Sequence, residues 1–247
     1  MSQIEGRRPV LEALRAGRDL DEIWIARGAR IAGPLADIVA EAERSGVSVV
    51  RVERERVDSR ALTAAPQGVI AFAPSFAYAS IEDALERPRV AREPALLLAL
   101  DGVTDPHNVG ALARSAEAAG AHAILLPRRR SAGITPTVEK AAAGALAHLP
   151  IVEVPNMARA LSDLQDRGIW VVVLDADAAT DVDALDLATE PLCLVVGSEG
   201  RGVSRLIIDT ADAACRIPLR GKVGSLNASV AGAVALFAVV RKRTQAT

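Results

Sequence analysis

The chain has 247 residues, half of them hydrophobic but only 2% aromatic, so its core must be aliphatic. A formal net charge of −2 excludes a protein that holds nucleic acid by overall charge alone, and leaves room for a local basic surface. Lys140, Lys222 and Lys242 are the only lysines among 29 basic residues, so anion recognition falls mainly to arginine, whose planar fork suits phosphate.

In chain order, PVLEALRAG carries Val10, Leu11 and Leu14 at helical spacing, with Gly17 as a stop. DEIWIA reads as a strand, IAGPLADIVAEAERSG as a helix ending at Gly46, VSVVRV as a second strand and QGVIAFA as a third. Residues 1–73 therefore make a small α/β domain. Residues 74–94, rich in Pro, Arg and Glu, read as a linker holding one short helix with a Ser80/Asp83 capping pair. Residues 95–247 make the second domain. Its strands, from ALLLALDG through PLCLVVG to the short CRIPL, are continuous apolar runs alternating with helices, the pattern of an open parallel sheet. A helix is expected over Val109–Ala119, another over TVEKAAAGALAH, and a last one from about Asn227 to Arg241.

Cys193 and Cys215 lie in apolar runs without paired spacing, as small hydrophobes suited to a reducing compartment. The N-terminus has no apolar signal region, and the weakly polar run from Ala228 to Val240 is shorter than the ~20 residues of a membrane span. A cytoplasmic protein without membrane attachment is expected.

In parallel sheets ligands bind beyond the carboxyl ends of strands, which directs attention to four loops. The first is DGVTDPHNVGALARS, where Asp105-Pro106 forces a turn, Asn108 is a good N-cap and Arg114 sits in an alanine-rich helix. On that loop alone, a capped surface helix with one solvated arginine is the favoured reading. The second places Arg128, Arg129 and Arg130 at a strand end, as a solvated charge run or a phosphate-contacting edge. The third, LVVGSEGRGVSRL, has glycines for close backbone approach but neither the P-loop lysine-serine pair nor a third glycine, since Arg205 stands in its place. Glu199 at that strand tip is a hydrogen-bond anchor or a catalytic carboxylate. The fourth, IPLRGKVGSLNASVAGAVALF, opens an apolar helix with Ser225, Asn227 and Ser229, where one cap would suffice. No histidine–carboxylate or metal-ligand cluster sits in these loops, so no metal is expected.

Together, DPHNVGALARSAEAAGA, LVVGSEGRGVSRL and IPLRGKVGSLNASVAGAVALF resemble the three ordered motifs of the SpoU/TrmH class of RNA ribose 2′-O-methyltransferases. The N-terminal GRRPVLEALRAG and QGVIAFA are similar to the small RNA-binding domain of the subgroup that methylates a guanosine in large-subunit (23S) ribosomal RNA. The resemblance implies a deep trefoil knot in the parallel-sheet domain and S-adenosylmethionine bound in it, with Gly197, Glu199, Gly200, Ile217, Leu219 and Leu226 as cofactor-binding positions. It places the polar active-site roles on Asn108, Arg114, Glu199, Ser225 and Asn227. It also implies a homodimer with a shared active site, RNA contact through Arg128, Arg129 and Arg130, and dimer contact through Val230 to Phe237. Ala65-Pro66-Gln67-Gly68 departs from the family, which has a histidine before Gln-Gly. The alternatives are a ribose methylase acting on transfer RNA, an antibiotic-resistance methylase of ribosomal RNA, and an RNA-binding relative without catalysis.

Overall fold

The computed structural model describes residues 2–15, 17–63, 66–74, 76–222 and 224–246, and the chain divides into two compact units, Met1–Ala77 and Tyr78–Thr247.

The first unit is a four-stranded sheet with helices on both faces. Its strands β1 (Ser2–Glu5), β2 (Glu22–Ala26), β3 (Ser48–Val52) and β4 (Val69–Ala73) lie in the order β1-β4-β2-β3, and only the β2–β3 pair is parallel. Strand side chains alternate between faces. Ile23 and Ile25 therefore pack with Val10 and Leu14 of α1 (Arg7–Arg15) and with Ile38 of α2 (Pro34–Ser45). Trp24, Val52 and Phe72 meet Val57 of α3 (Arg54–Arg60) on the other side. The expected helix stop at Gly46 is a left-handed residue (φ 70°), a conformation that glycine adopts without steric cost. β1 and α3 have no counterpart in the sequence reading, because four- and seven-residue elements carry too little periodicity to stand out.

The second unit is a seven-stranded sheet, parallel throughout, in the order β7-β6-β5-β10-β8-β11-β9. Its strands are β5 (Leu96–Asp101), β6 (Ala123–Pro127), β7 (Ile151–Val154), β8 (Trp170–Leu174), β9 (Thr180–Asp181), β10 (Leu192–Gly197) and β11 (Ala213–Arg216). The helices α4 (Ile81–Ala91), α7 (Met157–Gln165) and α8 (Arg205–Thr210) cover one face through Ala84, Leu161, Leu164 and Ile207. Cys193 and Cys215 are part of the sheet, and burial pushes their thiols up to about 12 and about 11, so both stay protonated at neutral pH. The segment 74–94, expected as a linker, spans the division between the two units at Ala77. From Tyr78 it belongs to the second unit: Ala79 bridges to Val152, and the Ser80/Asp83 capping box opens α4, whose Ala84 is buried against the sheet. Charged residues on the solvent side of that helix, together with the buried Pro88, give it the composition of a tether.

The other face carries α5 (Pro106–Ala118), α6 (Pro136–Ala142) and α9 (Ala228–Ala246), brought close by two glycines. A Cβ on Gly110 would lie 2.4 Å from that of Ala141, and one on Gly232 would lie 2.4 Å from Leu112 Cδ2. α6 ends early, at Ala142, and the chain turns through left-handed Ala143 and Gly144 into a short 3-10 turn, where one continuous helix is expected from the sequence. α9 is anchored at its far end by Arg243, which donates to the main-chain carbonyls of Pro94, Ala95, Ala188 and Glu190 at 2.7–2.9 Å. No helix among the described residues is long and apolar enough to cross a membrane.

Candidate active site

Parallel strands place the loops after β5, β6, β10 and β11 at one edge of the sheet, and three of these loops meet through side chains. Asn108 belongs to the third helical position of α5, not to its cap. The cap is Asp105, whose carboxylate accepts the His107 N–H at 3.0 Å. That shift of the helix start turns Asn108 inward, where it is 6% exposed. Its amide Nδ2 donates to Glu199 Oε1 at 2.9 Å, and its Oδ1 accepts from Asn227 Nδ2 at 2.9 Å. Asn227 Nδ2 also donates to Glu199 Oε1, at 2.5 Å. The result is a closed triangle joining the three motif loops, with a carboxylate held by two amides as a hydrogen-bond anchor.

Asn227 has a second task. Its Oδ1 accepts from the main-chain N–H groups of Ser229 and Val230, at 2.9 and 3.3 Å, and from the Ser229 hydroxyl. It is therefore the N-cap of α9, and Ser229 is a supporting hydroxyl. Ser225 is exposed and stands apart from the triangle.

The loop after β10 folds back as a tongue. Ser198 and Gly202 exchange main-chain hydrogen bonds (3.1 and 2.9 Å), and a Cβ on Gly197 would lie 2.0 Å from the Gly202 carbonyl carbon. Gly200 and Gly202, at φ 77° and 68°, supply the left-handed turns. The tongue is tied down twice more, by Glu199 in the triangle and by Asp101 at the end of β5, whose carboxylate accepts the Ser204 N–H at 2.7 Å. Asp101 is a site residue that sequence reasoning missed. Its only signal is an acidic residue ending an apolar strand.

Beside the tongue, the loop after β11 lines a cavity of about 500 Å³ with Pro218, Leu219, Arg220, Gly221, Ser225 and Leu226. Leu219 and Leu226 are 41% and 39% exposed, and among the described residues the main chain from Ile217 to Leu226 makes no backbone–backbone hydrogen bond. Exposed leucines beside unengaged amides and carbonyls suit a flat heterocycle with hydrogen-bonding edges. Of the expected cofactor positions, Leu219 and Leu226 line this cavity, Ile217 directly precedes it, and Gly197, Glu199 and Gly200 form the tongue. Val223 and Ala65 lie outside the described residues.

Arg114 is not drawn into the triangle. It lies six residues beyond Asn108 on α5, about 120° around the helix and about 9 Å along it, on the exposed face. Among the described residues it makes no hydrogen bond or ion pair. The three consecutive arginines also separate. Arg128 pairs with Glu153 at 2.9 Å, whereas Arg129 and Arg130 are exposed without a partner among the described residues. The described residues contain no group of three or more side chains suited to a metal ion.

In the second unit, a backbone-lined cavity at the carboxyl edge of a parallel sheet, beside an amide–carboxylate cluster, is the arrangement of an α/β enzyme that takes a nucleotide-like cofactor. Residues 95–237 match the sequence model of the SpoU rRNA Methylase family, and residues 3–79 match that of RNA 2′-O ribose methyltransferase substrate binding. The chain belongs to the SpoU/TrmH family of RNA 2′-O-ribose methyltransferases. It is 40% identical to YacO of Bacillus subtilis (strain 168), which carries a TrmH family tRNA/rRNA methyltransferase name, over 96% of this chain and 94% of that protein. Its structure is similar to the AdoMet-bound rRNA methyltransferase of Sinorhizobium meliloti (TM-score 0.60, 25% identity, 97% of this chain and 87% of that one). It is also similar to the TrmH/SpoU tRNA modifying enzyme of A. aeolicus (TM-score 0.57, 30% identity), which covers 67% of this chain and is itself covered to 85%.

Proposed function

We propose that the protein transfers a methyl group from S-adenosylmethionine to the ribose 2′-hydroxyl of a guanosine in large-subunit (23S) ribosomal RNA. The observation that carries the reading is the closed Asn108–Glu199–Asn227 triangle, which ties three motif loops together beside the cavity of Leu219 and Leu226. The ribosomal target is favoured by coverage: the rRNA methyltransferase of S. meliloti matches both units, whereas the tRNA modifying enzyme of A. aeolicus matches about two thirds of the chain.

When bound, S-adenosylmethionine supplies a methyl group activated on a sulfonium. Leu219, Leu226 and the free main chain around them would hold its adenine, and the tongue at Gly197–Gly200 would close over it. The ribose hydroxyl is a weak nucleophile, so the chain's task is alignment and removal of a proton. Glu199 is committed to two amides, which leaves it an anchor. A guanidinium offers only donors, so Arg114 is not read as the base. Its role is to fix the phosphate of the target nucleotide, so that this phosphate could take the hydroxyl proton. The methyl carbon would exchange its bond to the sulfonium sulfur for one to the ribose oxygen, leaving S-adenosylhomocysteine. Because Arg114 points away from its own triangle, we read the site as shared between two protomers. The dimer contact is then the α9 stripe of Val230, Val234 and Phe237, which are 47%, 38% and 40% exposed. We further read the return of the 217–227 loop across the sheet edge to α9 as the closing pass of a trefoil knot. Arg129 and Arg130, and Arg128 once released from Glu153, would contact RNA phosphates in a cytoplasmic setting. Methylation mapping of ribosomal and transfer RNA treated with the protein tests the target. Arg114→Ala should abolish transfer while calorimetry shows cofactor binding retained; unchanged turnover would overturn the role given to Arg114.

A further inference from the structure

The sheet order sets β8 between β10 and β11, the two strands whose loops form the cofactor side of the site. β10 runs into the tongue, and β11 runs into the loop of Leu219 and Leu226. Neighbouring strands lie about 4.8 Å apart, so the ends of β10 and β11 are about 10 Å apart, with the end of β8 in the gap. The residue in that gap is Asp175. Val173 pairs with Val195 of β10, and Leu174 pairs with Cys215 of β11. Continuing both registers sets Asp175 level with Gly197, where the tongue begins, and with Arg216, which precedes Ile217. Its main-chain N–H donates to the Cys215 carbonyl at 2.9 Å, which fixes it at that height.

Asp175 is half-buried, and one of its carboxylate oxygens, Oδ1, accepts the Asp177 N–H at 3.0 Å. Two later carboxylates are neutralised, Asp181 by Arg216 at 2.8 Å and Asp183 by Arg241 at 3.2 Å, and Asp177 is exposed to water. Among the described residues Asp175 has no cation, and nothing donates to its second oxygen. A half-buried carboxylate has lost part of its hydration, so a donor brought by a ligand would stabilise that oxygen. The order of the strands indicates which donor. With adenine held at Leu219 and Leu226, and the methyl group facing the triangle on the far side of β10, the part of S-adenosylmethionine that would span the gap is its ribose. A carboxylate near the strand ends is the acceptor used for a ribose hydroxyl in dinucleotide-binding sheets.

We propose that Asp175 is a cofactor-binding residue, its free carboxylate oxygen accepting from a ribose hydroxyl of S-adenosylmethionine. This rests on the methyltransferase reading above. The test is calorimetry on the full chain with S-adenosylhomocysteine, which lacks the sulfonium charge, and with the same compound lacking both ribose hydroxyls. Asp175→Ala should bind S-adenosylhomocysteine about tenfold more weakly than the wild type. Its preference for the ligand that carries the hydroxyls should shrink by the same factor of about ten. Asp175→Asn keeps an oxygen for the Asp177 N–H and gives up only the charged acceptor, so it should lose about fivefold. Wild-type affinity in Asp175→Asn would assign the alanine effect to the loop bond, and an undiminished preference in Asp175→Ala would assign it to another part of the ligand. Either result would overturn the proposal alone. Failure of the wild type to bind S-adenosylmethionine or S-adenosylhomocysteine would overturn the reading beneath it as well.

Discussion

Asn227 both caps α9 and closes the triangle, and these two tasks can be separated by substitution. Serine caps a helix about as well as asparagine, so Asn227→Ser should keep the helix start while deleting the two amide bonds to Asn108 and Glu199. A hydrogen bond to a charged group contributes about 1.5–3 kcal/mol. Glu199 and Asn227 are both exposed, so water recovers part of this and the loss should be about 1 kcal/mol. For a unit of this size that is a fall of about 2–4 °C in melting temperature. Asn227→Ala also removes the cap, adding about 1 kcal/mol and roughly doubling the fall. Activity should behave differently. Both variants let Glu199 and Asn108 shift by a fraction of a bond length or more, and both should lose about 100-fold in methyl transfer. Differential scanning calorimetry and single-turnover methylation measure the two effects independently. Unaltered turnover in Asn227→Ser would refute the claim that the triangle orients the site, and equal melting of the two variants would refute the capping role.

Asp101→Ala removes the acceptor that ties the tongue at Ser204, and should weaken S-adenosylmethionine binding about tenfold by calorimetry. Asp101→Asn retains an acceptor and should restore most of it. His122 gives a pH dependence. Burial lowers its pKa below the ordinary 6.5, a shift that Glu93 opposes, and its Nδ1 accepts the Leu96 N–H at 3.0 Å. The unfolded chain therefore takes up a proton at a higher pH than the folded one. The stability due to the neutral ring is complete above about pH 6.5 and is lost as pH falls below that value. Urea denaturation between pH 7.5 and 5 should show this decline, and His122→Gln should flatten it.

The parts of this protein that were legible in the sequence are those set by local pattern. Continuous apolar runs mark buried parallel strands because both faces must be covered, and Gly46 stops its helix by its own backbone freedom. What escaped depends on distance along the chain. Asn108 and Glu199 are 91 residues apart and Asn108 and Asn227 are 119 apart, so their types could be singled out but not their contact. Asn108 reads as an N-cap from the sequence, and the structure differs for a local reason. Asp105 competes for the same cap and is placed ahead of a proline at the first helical position, which moves the helix start upstream and turns Asn108 into the interior. α9 reads as buried all round from its composition, yet Gly232, Ala235 and Leu236 face inward while Val230, Val234 and Phe237 form an exposed stripe. Composition without periodic polarity cannot assign those faces.

That stripe and the outward Arg114 together make the proposed sharing of the site between two protomers testable in solution. If Arg114 serves its own chain's triangle, a protomer carrying Arg114→Ala and a protomer carrying Asn227→Ala are both inactive, and mixing them restores nothing. If Arg114 serves the partner's triangle, a mixed dimer holds one site built from an intact arginine and an intact triangle, and one site with both defects. Random reassociation of equal amounts makes half of the dimers mixed, and each has one working site of two, so about a quarter of wild-type activity should return. Unfolding and refolding the two variants together, against each refolded alone, supplies the comparison. Return of activity only in the co-refolded sample supports a site assembled across the two-fold axis. Its absence, with mixed dimers demonstrated by mass spectrometry, would place Arg114 in its own chain's site and require α5 to turn that face toward the triangle.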